Sequence, residues 1–389
     1  MIRQRIERLI ARSRCTLLGV GPMSRGCVDA AIELANEHNV PIFLIASRRQ
    51  IDSEAFGGGY VNRWTTAEFA RYVLERDAKA NVILARDHGG PWQNEAEVAR
   101  RLGLRQAMQS AKDSYQADID AGFQMLHIDP SVDIHGGASV DDVIDRLMEL
   151  YEFCWARAQA AGREILFEIG TEEQTGSTNS SEEELDHILA EVKRLCAIEA
   201  LPPPTFVVVQ TGTRVMETRN VGSFDSPVRI PSELAVEIQL PKMLEVCHRH
   251  GVMLKEHNTD YLSDDSLKWH PRLGIHAANV APEFGVAETR ELLRLLEAHG
   301  MREACAEFVD VAVASGRWRK WLLPATRLDD RGKAELCGHY VFSDPRSEAI
   351  RAVLADAMAR QGLSLEARVK DVLKAAILRY MRNFRLVAG

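Results

Sequence analysis

The sequence predicts a (β/α)8 barrel, the TIM-barrel architecture of the α/β class, with a C-terminal helical extension. About eight short apolar runs alternate with amphipathic helical patterns. Polar, reactive side chains follow nearly every run, and the alternation stops near Met301. We therefore expect a barrel over residues 1–300, with its site at the C-terminal ends of the strands, and a helical extension packed on it over 301–389.

The barrel strands are expected in runs too short for helices, many of them stopped by Gly, Pro, Asn or Asp. In chain order these runs are 15–20, 41–46, 82–86, 123–128, 164–169, 205–209, 252–255 and 273–277. The runner-up is a doubly wound open sheet, whose first turn should carry a G-x-G-x-x-G phosphate fingerprint. Gly19-Val-Gly21 lacks that pattern, which argues against a nicotinamide enzyme.

Helical segments dominate the end of the chain, at 302–314, 347–359 and 365–386. The last segment has an apolar face at helical spacing. This face is interpreted as additional core, and a subunit contact stays open as an alternative. Its members are Val369, Val372, Leu373, Ala376, Ile377, Tyr380 and Phe384.

Composition excludes several classes of protein. The chain has 389 residues, is 46% hydrophobic and carries a net charge of -8, so it has no general basic footprint for nucleic acid. No apolar run approaches the ~18 residues of a membrane span, and the charged N-terminus lacks the apolar core of a signal peptide. The seven cysteines form no CxxC pair, so we expect reduced packing residues in a soluble, cytoplasmic protein.

The strand ends carry a set of imidazoles and carboxylates. In a barrel these ends surround one pocket, so residues remote in sequence face one centre. Two imidazoles with one or two carboxylates suit Zn²⁺, Mn²⁺ or Fe²⁺. His127 is interpreted instead as a packing histidine that faces the opposite side of its strand. The candidate residues are Asp87, His88, Asp129, Glu168, Glu172, His257 and Asp260.

The same loops are rich in cations, which suit phosphate or carboxylate groups. In an acidic chain, this rim predicts an anionic substrate such as a sugar phosphate or a sugar acid. The alternative is that several of these cations pair with the carboxylates of the rim. The cations are Arg25, Arg48, Arg49, Arg63, Arg214 and Lys255, and the predicted substrate-binding set is Arg25, Arg49, Arg63, Gln210, Arg214 and Asn279.

Four short motifs carry a family resemblance. They are Ala85-Arg-Asp-His-Gly89, Leu126-His-Ile-Asp129, Glu168-Ile-Gly-Thr-Glu172 and Lys255-Glu-His-Asn-Thr-Asp-Tyr261. In order and spacing they resemble the Gly-Asp-His-Leu-Gly-Pro, Gly-Thr-Glu and His-Ser-Thr-Asp-Tyr stretches of the D-tagatose-bisphosphate aldolase class II accessory subunits (GatZ/KbaZ type). That family is related to the zinc-dependent class II ketose-bisphosphate aldolases.

The resemblance implies roles for three residues. Asp87 matches the proton-transferring aspartate, His88 the first metal imidazole and His257 the imidazole after strand seven. The catalytic aldolases carry a further metal histidine in a Gly-Thr-x-His pattern, where this chain has Gly212-Thr-Arg-Val215. Glu168 or Glu172 is therefore expected to complete a set of two histidines and one carboxylate.

Two functions from different classes follow. One is a metal-dependent enzyme acting on a ketose phosphate or sugar acid by retro-aldol/aldol chemistry, as a C4 epimerase or an aldolase, with Asp87, Asp129 and Asp260 as catalytic candidates. The other is a non-catalytic subunit that stabilises a separate class II aldolase. A sugar-phosphate kinase is disfavoured, because no Gly-rich ATP loop of the usual form is present. A homo-oligomer is also expected.

Overall fold

The computed structural model describes residues 2–170, 182–224 and 236–388. Its strands are β1 (Leu17–Val20), β2 (Ile42–Ser47), β3 (Val82–Gly89), β4 (Met125–Ile128), β5 (Leu166–Ile169), β6 (Phe206–Val209), β7 (Val215–Met216), β8 (Arg219–Asn220), β9 (Met253–Glu256) and β10 (Ala277–Val280). Eight of these strands are parallel and close in the order β1-β10-β9-β6-β5-β4-β3-β2, while β7 and β8 form a small antiparallel hairpin. The predicted (β/α)8 barrel is confirmed.

Helices alternate with the barrel strands. Several of these helices begin at side chains that cap their first amide groups. Ser24 accepts the N–H of Cys27, and Thr65 and Ser139 form capping boxes. The helices are α1 (Ile2–Ser13), α2 (Arg25–His38), α3 (Thr66–Arg76), α4 (Glu95–Ala99), α5 (Leu104–Ala121), α6 (Val140–Ala160), α7 (Glu182–Ile198), α8 (Val236–His250), α9 (Asp264–Leu273), α10 (Pro282–Ala298), α11 (Arg302–Ala314), α12 (Asp330–Cys337), α13 (Pro345–Ala359) and α14 (Leu365–Asn383). Short 3-10 turns occur at Glu54–Phe56, Arg317–Trp321 and Gly338–Val341.

The eighth barrel strand was predicted over 273–277, and this start is too early in the chain. Leu273 is the last residue of α9, and Gly274 ends that helix in the left-handed conformation, with φ 88°. Glycine adopts this conformation without a steric penalty. The strand therefore begins only at Ala277, and Asn279 lies within it rather than after it.

The C-terminal helices pack against the barrel. α14 lies on α2 and α10, and Leu373, Ile377 and Phe384 are fully buried there. These side chains belong to the same hydrophobic cluster as the barrel strands. The apolar face of α14 therefore serves as added core. The boundary expected at residue 300 falls between α10 and α11 and remains a prediction.

The cysteines and the helices agree with the composition. All seven cysteines are buried and free, as expected of packing residues. Across the described ranges, every helix is too short or too polar to cross a bilayer.

Candidate metal centre and substrate cavity

The end of β3 has an irregular backbone that positions Asp87 and His88. The pairing of β3 with β4 shifts register between Arg86 and Gly89, and His88 has φ 44°. A positive φ costs a non-glycine residue free energy, and bulges of this kind re-aim side chains beside functional sites. The glycine that follows is required, because a Cβ at Gly89 would lie 2.4 Å from the Tyr115 hydroxyl.

A buried ion network holds the segment that follows β3. Arg48 lies just beyond β2 and is 1% exposed. Its guanidinium contacts Asp52 at 3.0 Å and Glu97 at 2.6 Å, and it donates to the carbonyl of Gly90 at 3.1 Å. Arg48 thus pairs with carboxylates of the protein, which is the alternative stated above for the cations of the rim. It fixes the loop beside His88 instead of facing a substrate.

Three imidazoles meet at the ends of the strands. The ring centroid of His88 lies 4.9 Å from those of His127 and His257, which are 5.5 Å from each other. With Asp87 they form a group whose candidate ligand atoms all lie within 4.8 Å of one another. The barrel therefore brings together His88 and His257, which are 169 residues apart in sequence.

The expectation that His127 faces away from this centre was wrong. Residues two apart on a strand share a face, so His127 points to the same side as Asp129. Its Nδ1 accepts the backbone N–H of His88 at 3.2 Å. Within the described ranges, its buried Nε2 has no hydrogen-bond partner. His127 therefore adds a third imidazole to the group, from β4.

Neighbouring polar groups orient the imidazoles. Asp129 accepts the Nδ1–H of His88 at 2.7 Å and an amide hydrogen of Gln93 at 3.0 Å. The amide nitrogen of Asn279 lies 3.2 Å from Asp87 Oδ1 and 3.0 Å from His257 Nε2. A carboxylate on the far nitrogen of an imidazole is the usual support for a metal-binding histidine. Asp129 and Asn279 thus position the cluster from either side.

A buried ion pair contacts two of the imidazoles. Lys255 Nζ lies 2.6 Å from Glu168 Oε2, and both side chains are inaccessible to solvent. The second oxygen, Oε1, is 3.5 Å from His127 Nδ1 and 3.4 Å from His257 Nε2. Glu168 therefore borders the four-residue group without belonging to it. Glu172, the other predicted carboxylate ligand, lies outside the described residues.

The electrostatics favour ionised carboxylates here. Burial opposes ionisation of Asp87, but the charge of His88 and a hydrogen bond with His127 hold its pKa well below the usual range. Burial likewise opposes ionisation of Glu168, yet Lys255 lowers its pKa to about 2. Burial lowers the pKa of His257 to about 4, so this imidazole is neutral at pH 7. Asp87 and the neutral imidazole of His257 are donors that suit a divalent cation. Burial opposes the charge of His88, but Asp87 raises its pKa to about 9, so this imidazole binds a cation only after it releases a proton.

A cavity of about 420 Å³ opens onto the cluster, within the size range of small-molecule sites. The predicted Arg49 lies at its wall, whereas Arg25 and Arg63 lie elsewhere, each 2.5 Å from a glutamate of a C-terminal helix, Glu366 and Glu348. Gln210, which is buried, and Arg214, which is exposed, are not among the described lining residues. The predicted residues that do line it are Arg49, Asp87, His88, Asp129, His257, Asp260 and Asn279.

Asp260 lies in the cavity wall and also binds the backbone at the start of α10. Its Oδ1 accepts the backbone N–H groups of Ala281 at 3.0 Å and Glu283 at 2.9 Å, at the start of α10. Burial, together with the charge of Glu283, raises its pKa to about 7. Asp260 therefore anchors a helix end while facing the cavity.

The C-terminal region also contributes to this cavity. Lys320, Trp321 and Tyr340 line it together with the strand-end residues. No sequence motif marks these three residues, because only tertiary packing brings them to the barrel mouth. They are the part of the site that sequence reasoning missed besides His127.

The fold and the site define a class of protein, the (β/α)8-barrel proteins that place reactive side chains at the C-terminal face of the barrel. Within that class, the chain belongs to the GatZ/KbaZ-like family. The model for D-tagatose-1,6-bisphosphate aldolase subunit GatZ/KbaZ-like proteins matches residues 3–198. This confirms the resemblance carried by the strand-end motifs and identifies a carbohydrate aldolase-like protein.

Solved structures share the fold across almost the whole chain. A probable tagatose 6 phosphate kinase from Sinorhizobium meliloti 1021 is 18% identical, with a TM-score of 0.73 over 95% of this chain and 100% of that one. The fructuronate-tagaturonate epimerase UxaE from Cohnella laeviribosi is 12% identical, with a TM-score of 0.60 over 96% and 81%. Fructose-bisphosphate aldolase from Campylobacter jejuni is 11% identical, with a TM-score of 0.56 over 99% and 94%. At these identities the likeness concerns the fold alone.

Proposed function

We propose that the protein is a divalent-metal-dependent carbohydrate enzyme that acts on a ketose phosphate or sugar acid by retro-aldol/aldol chemistry. The observation that carries this proposal is the convergence of His88, His127, His257 and Asp87 within 4.8 Å at the barrel mouth. Three imidazoles suit zinc, while Mn²⁺ and Fe²⁺ remain alternatives for a set that includes a carboxylate.

The residues of the chain divide into binding and proton transfer. The three imidazoles would hold the cation, which would polarise the ketose carbonyl. Asp87 stays ionised, so its carboxylate can take the proton of a substrate hydroxyl at C4. As that proton leaves, the C3–C4 bond breaks, its electron pair moves toward the ketose carbonyl, and C4 becomes an aldehyde. Re-addition to the other face of the aldehyde gives the C4 epimer, and release gives an aldolase.

Asp129 and Asp260 take supporting roles in this proposal. Asp129 keeps His88 oriented through its hydrogen bond to Nδ1. Asp260 lies in the wall of the cavity with a raised pKa of about 7. A carboxyl that titrates near neutrality can return a proton to the substrate oxygen after the C–C bond is remade.

Metal analysis combined with a substrate screen tests the proposal. Purified protein should hold about one equivalent of Zn²⁺, Mn²⁺ or Fe²⁺ and should convert at least one ketose phosphate or ketouronate. Activity should disappear on chelation and return when metal is added. His88→Ala should lose both metal and activity, while the control His187→Ala, at an exposed position of α7, keeps both. Full activity of His88→Ala would refute the proposal.

A second candidate rests on the family itself, whose description names an aldolase subunit. In this role the chain would bind and stabilise a separate class II aldolase in the cytoplasm. Co-expression with a class II tagatose-bisphosphate aldolase tests it. A stable complex in which only the partner is active favours this role, and a homo-oligomer that turns over substrate alone excludes it.

A further inference from the structure

Part of the cavity wall comes from outside the barrel motifs. It is formed by two C-terminal turns, Arg317–Trp321 and Gly338–Val341. Lys320, Trp321 and Tyr340 from these turns line the same cavity as His88 and His257. A substrate that reaches the imidazole cluster therefore lies in a space that the C-terminal region helps to enclose.

Contacts with the barrel loops hold this wall in place. Arg317 donates to Glu95 Oε2 at 2.6 Å, in the first turn of α4. The carbonyl of Trp321 accepts the backbone N–H of Glu217 at 2.7 Å. The rings of Tyr340 and Tyr60 lie with centroids 4.8 Å apart. Because ion pair, backbone bond and ring contact all act together, the wall is preformed.

Positive charge is in excess at this wall. The hydrogen bond from Arg317 is the main reason why the pKa of Glu95 lies below its usual range. The positive charges of Arg49 and Lys320 lower this pKa further. Three cations around one carboxylate leave a surplus of two positive charges, in a chain whose net charge is -8. In the described part of the chain, neither Arg49 nor Lys320 has an ion-pair partner.

The aromatic side chains of the wall fix where the ammonium group lies. Lys320 Nζ is 4.7 Å from the ring centroid of Trp321 and 5.2 Å from that of Tyr340. Cation–π contacts of this kind hold the ammonium group beside the rings while leaving its N–H donors available. An ammonium so placed can donate to an oxyanion that enters the cavity.

We propose that Lys320, assisted by Arg49, binds the anionic end of the substrate, a phosphate or carboxylate borne by the sugar chain away from its ketose group. This inference rests on the proposed function, because it assigns the substrate class of the same cavity. It makes the C-terminal region a determinant of specificity, since a neutral ketose would leave both cations without a partner.

Calorimetric titration with four probes tests the subsite: inorganic phosphate, D-fructose 6-phosphate, D-fructuronate and neutral D-fructose. Lys320→Gln should weaken the binding of the anionic probes about tenfold, as loss of one charged contact predicts, and leave D-fructose unchanged. Lys320→Arg should restore most of the affinity. Arg319→Gln, which removes the same charge one residue away from the lining set, is the matched control and should bind like wild type. The stronger of the two anionic sugars identifies phosphate or carboxylate as the natural group.

Titrations before and after chelation separate the two proposals. Phosphate binding that depends on Lys320 should survive removal of the metal, because the ammonium group of Lys320 holds the phosphate and the metal ion does not. Protein that holds no metal as purified and takes up none when metal is added, but still shows Lys320-dependent binding, would refute the metal centre alone. Equal affinities of wild type and Lys320→Gln, or no binding of any anionic probe to wild type, would overturn the subsite.

Discussion

The buried pair Glu168–Lys255 offers the sharpest test of how the barrel supports its imidazoles. We predict that Lys255→Met strongly destabilises the protein. The substitution keeps all but the last atom of the side-chain length and removes the ammonium that lies 2.6 Å from Glu168 Oε2, where neither side chain is accessible to solvent. A carboxylate charge left alone in such an interior has neither water nor a counter-ion to stabilise it.

The expected magnitude follows from burial. Breaking a buried pair by removing one partner costs about 3–5 kcal/mol, whereas replacing both partners by apolar groups is often neutral or stabilising. Lys255→Met alone should therefore lower the free energy of unfolding by about 3–5 kcal/mol. The double variant Lys255→Met/Glu168→Leu should recover most of that loss, because the uncompensated charge is gone.

Urea unfolding followed by circular dichroism measures both variants, and metal analysis reports on the centre. Glu168 borders the imidazoles without joining the four-residue group, so the double variant should still bind metal. A loss below about 1 kcal/mol in Lys255→Met would refute the electrostatic argument. Loss of metal from a folded double variant would instead make Glu168 a ligand, as the sequence predicted.

Three further predictions concern other residues. His127→Ala should abolish metal binding while the circular dichroism spectrum stays native, and retention of a full equivalent of metal would contradict the three-imidazole centre. Arg48→Met should lower the free energy of unfolding by about 3 kcal/mol because it leaves two buried carboxylates unpaired, whereas Arg194→Met, at a surface pair, should cost about 0.5 kcal/mol or less. Asp260 has its pKa raised from 3.8 to about 7, so the folded state binds more protons than the unfolded state between those values. Stability should fall by at most about 4 kcal/mol as pH rises through that window, and Asp260→Asn should flatten this fall in denaturation measured at pH 5 and pH 8.

The barrel could be predicted from sequence because a parallel strand buried on both faces must be almost wholly apolar. The runs at 41–46 and 205–209 show this pattern, and they fold as β2 (Ile42–Ser47) and β6 (Phe206–Val209). The eighth strand was placed too early because Leu273 continues an apolar pattern, and only the left-handed Gly274 reveals that a helix ends there. Alternation locates strands well where the flanking residues break the pattern, and poorly where a helix runs almost directly into a strand.

Site residues could be predicted only where the local sequence defines the strand end on which they lie. Asp87 and His88 stand at the end of a strand that the local sequence defines, and their neighbours in the barrel follow from its topology. The side that His127 faces follows from its spacing of two residues from Asp129, so the sequence did contain this signal, and the interpretation of His127 as a packing residue did not use it. Arg25 and Arg63 do not line the cavity, and the sequence could not show this, because their partners Glu366 and Glu348 come from C-terminal helices that pack beside the barrel.

The same packing bears on the proposal that this acidic chain binds an anionic substrate. Most cations near the strand ends are neutralised within the protein, Arg48 by Asp52 and Glu97 and Lys255 by Glu168. A rim rich in arginine in the sequence is therefore a poor guide to the field inside the cavity. What decides the field is the balance of charges that remain unpaired after folding, and that balance depends on a lysine of the C-terminal region. The proposed preference for an anionic substrate accordingly rests on tertiary structure, which the strand-end motifs alone do not encode.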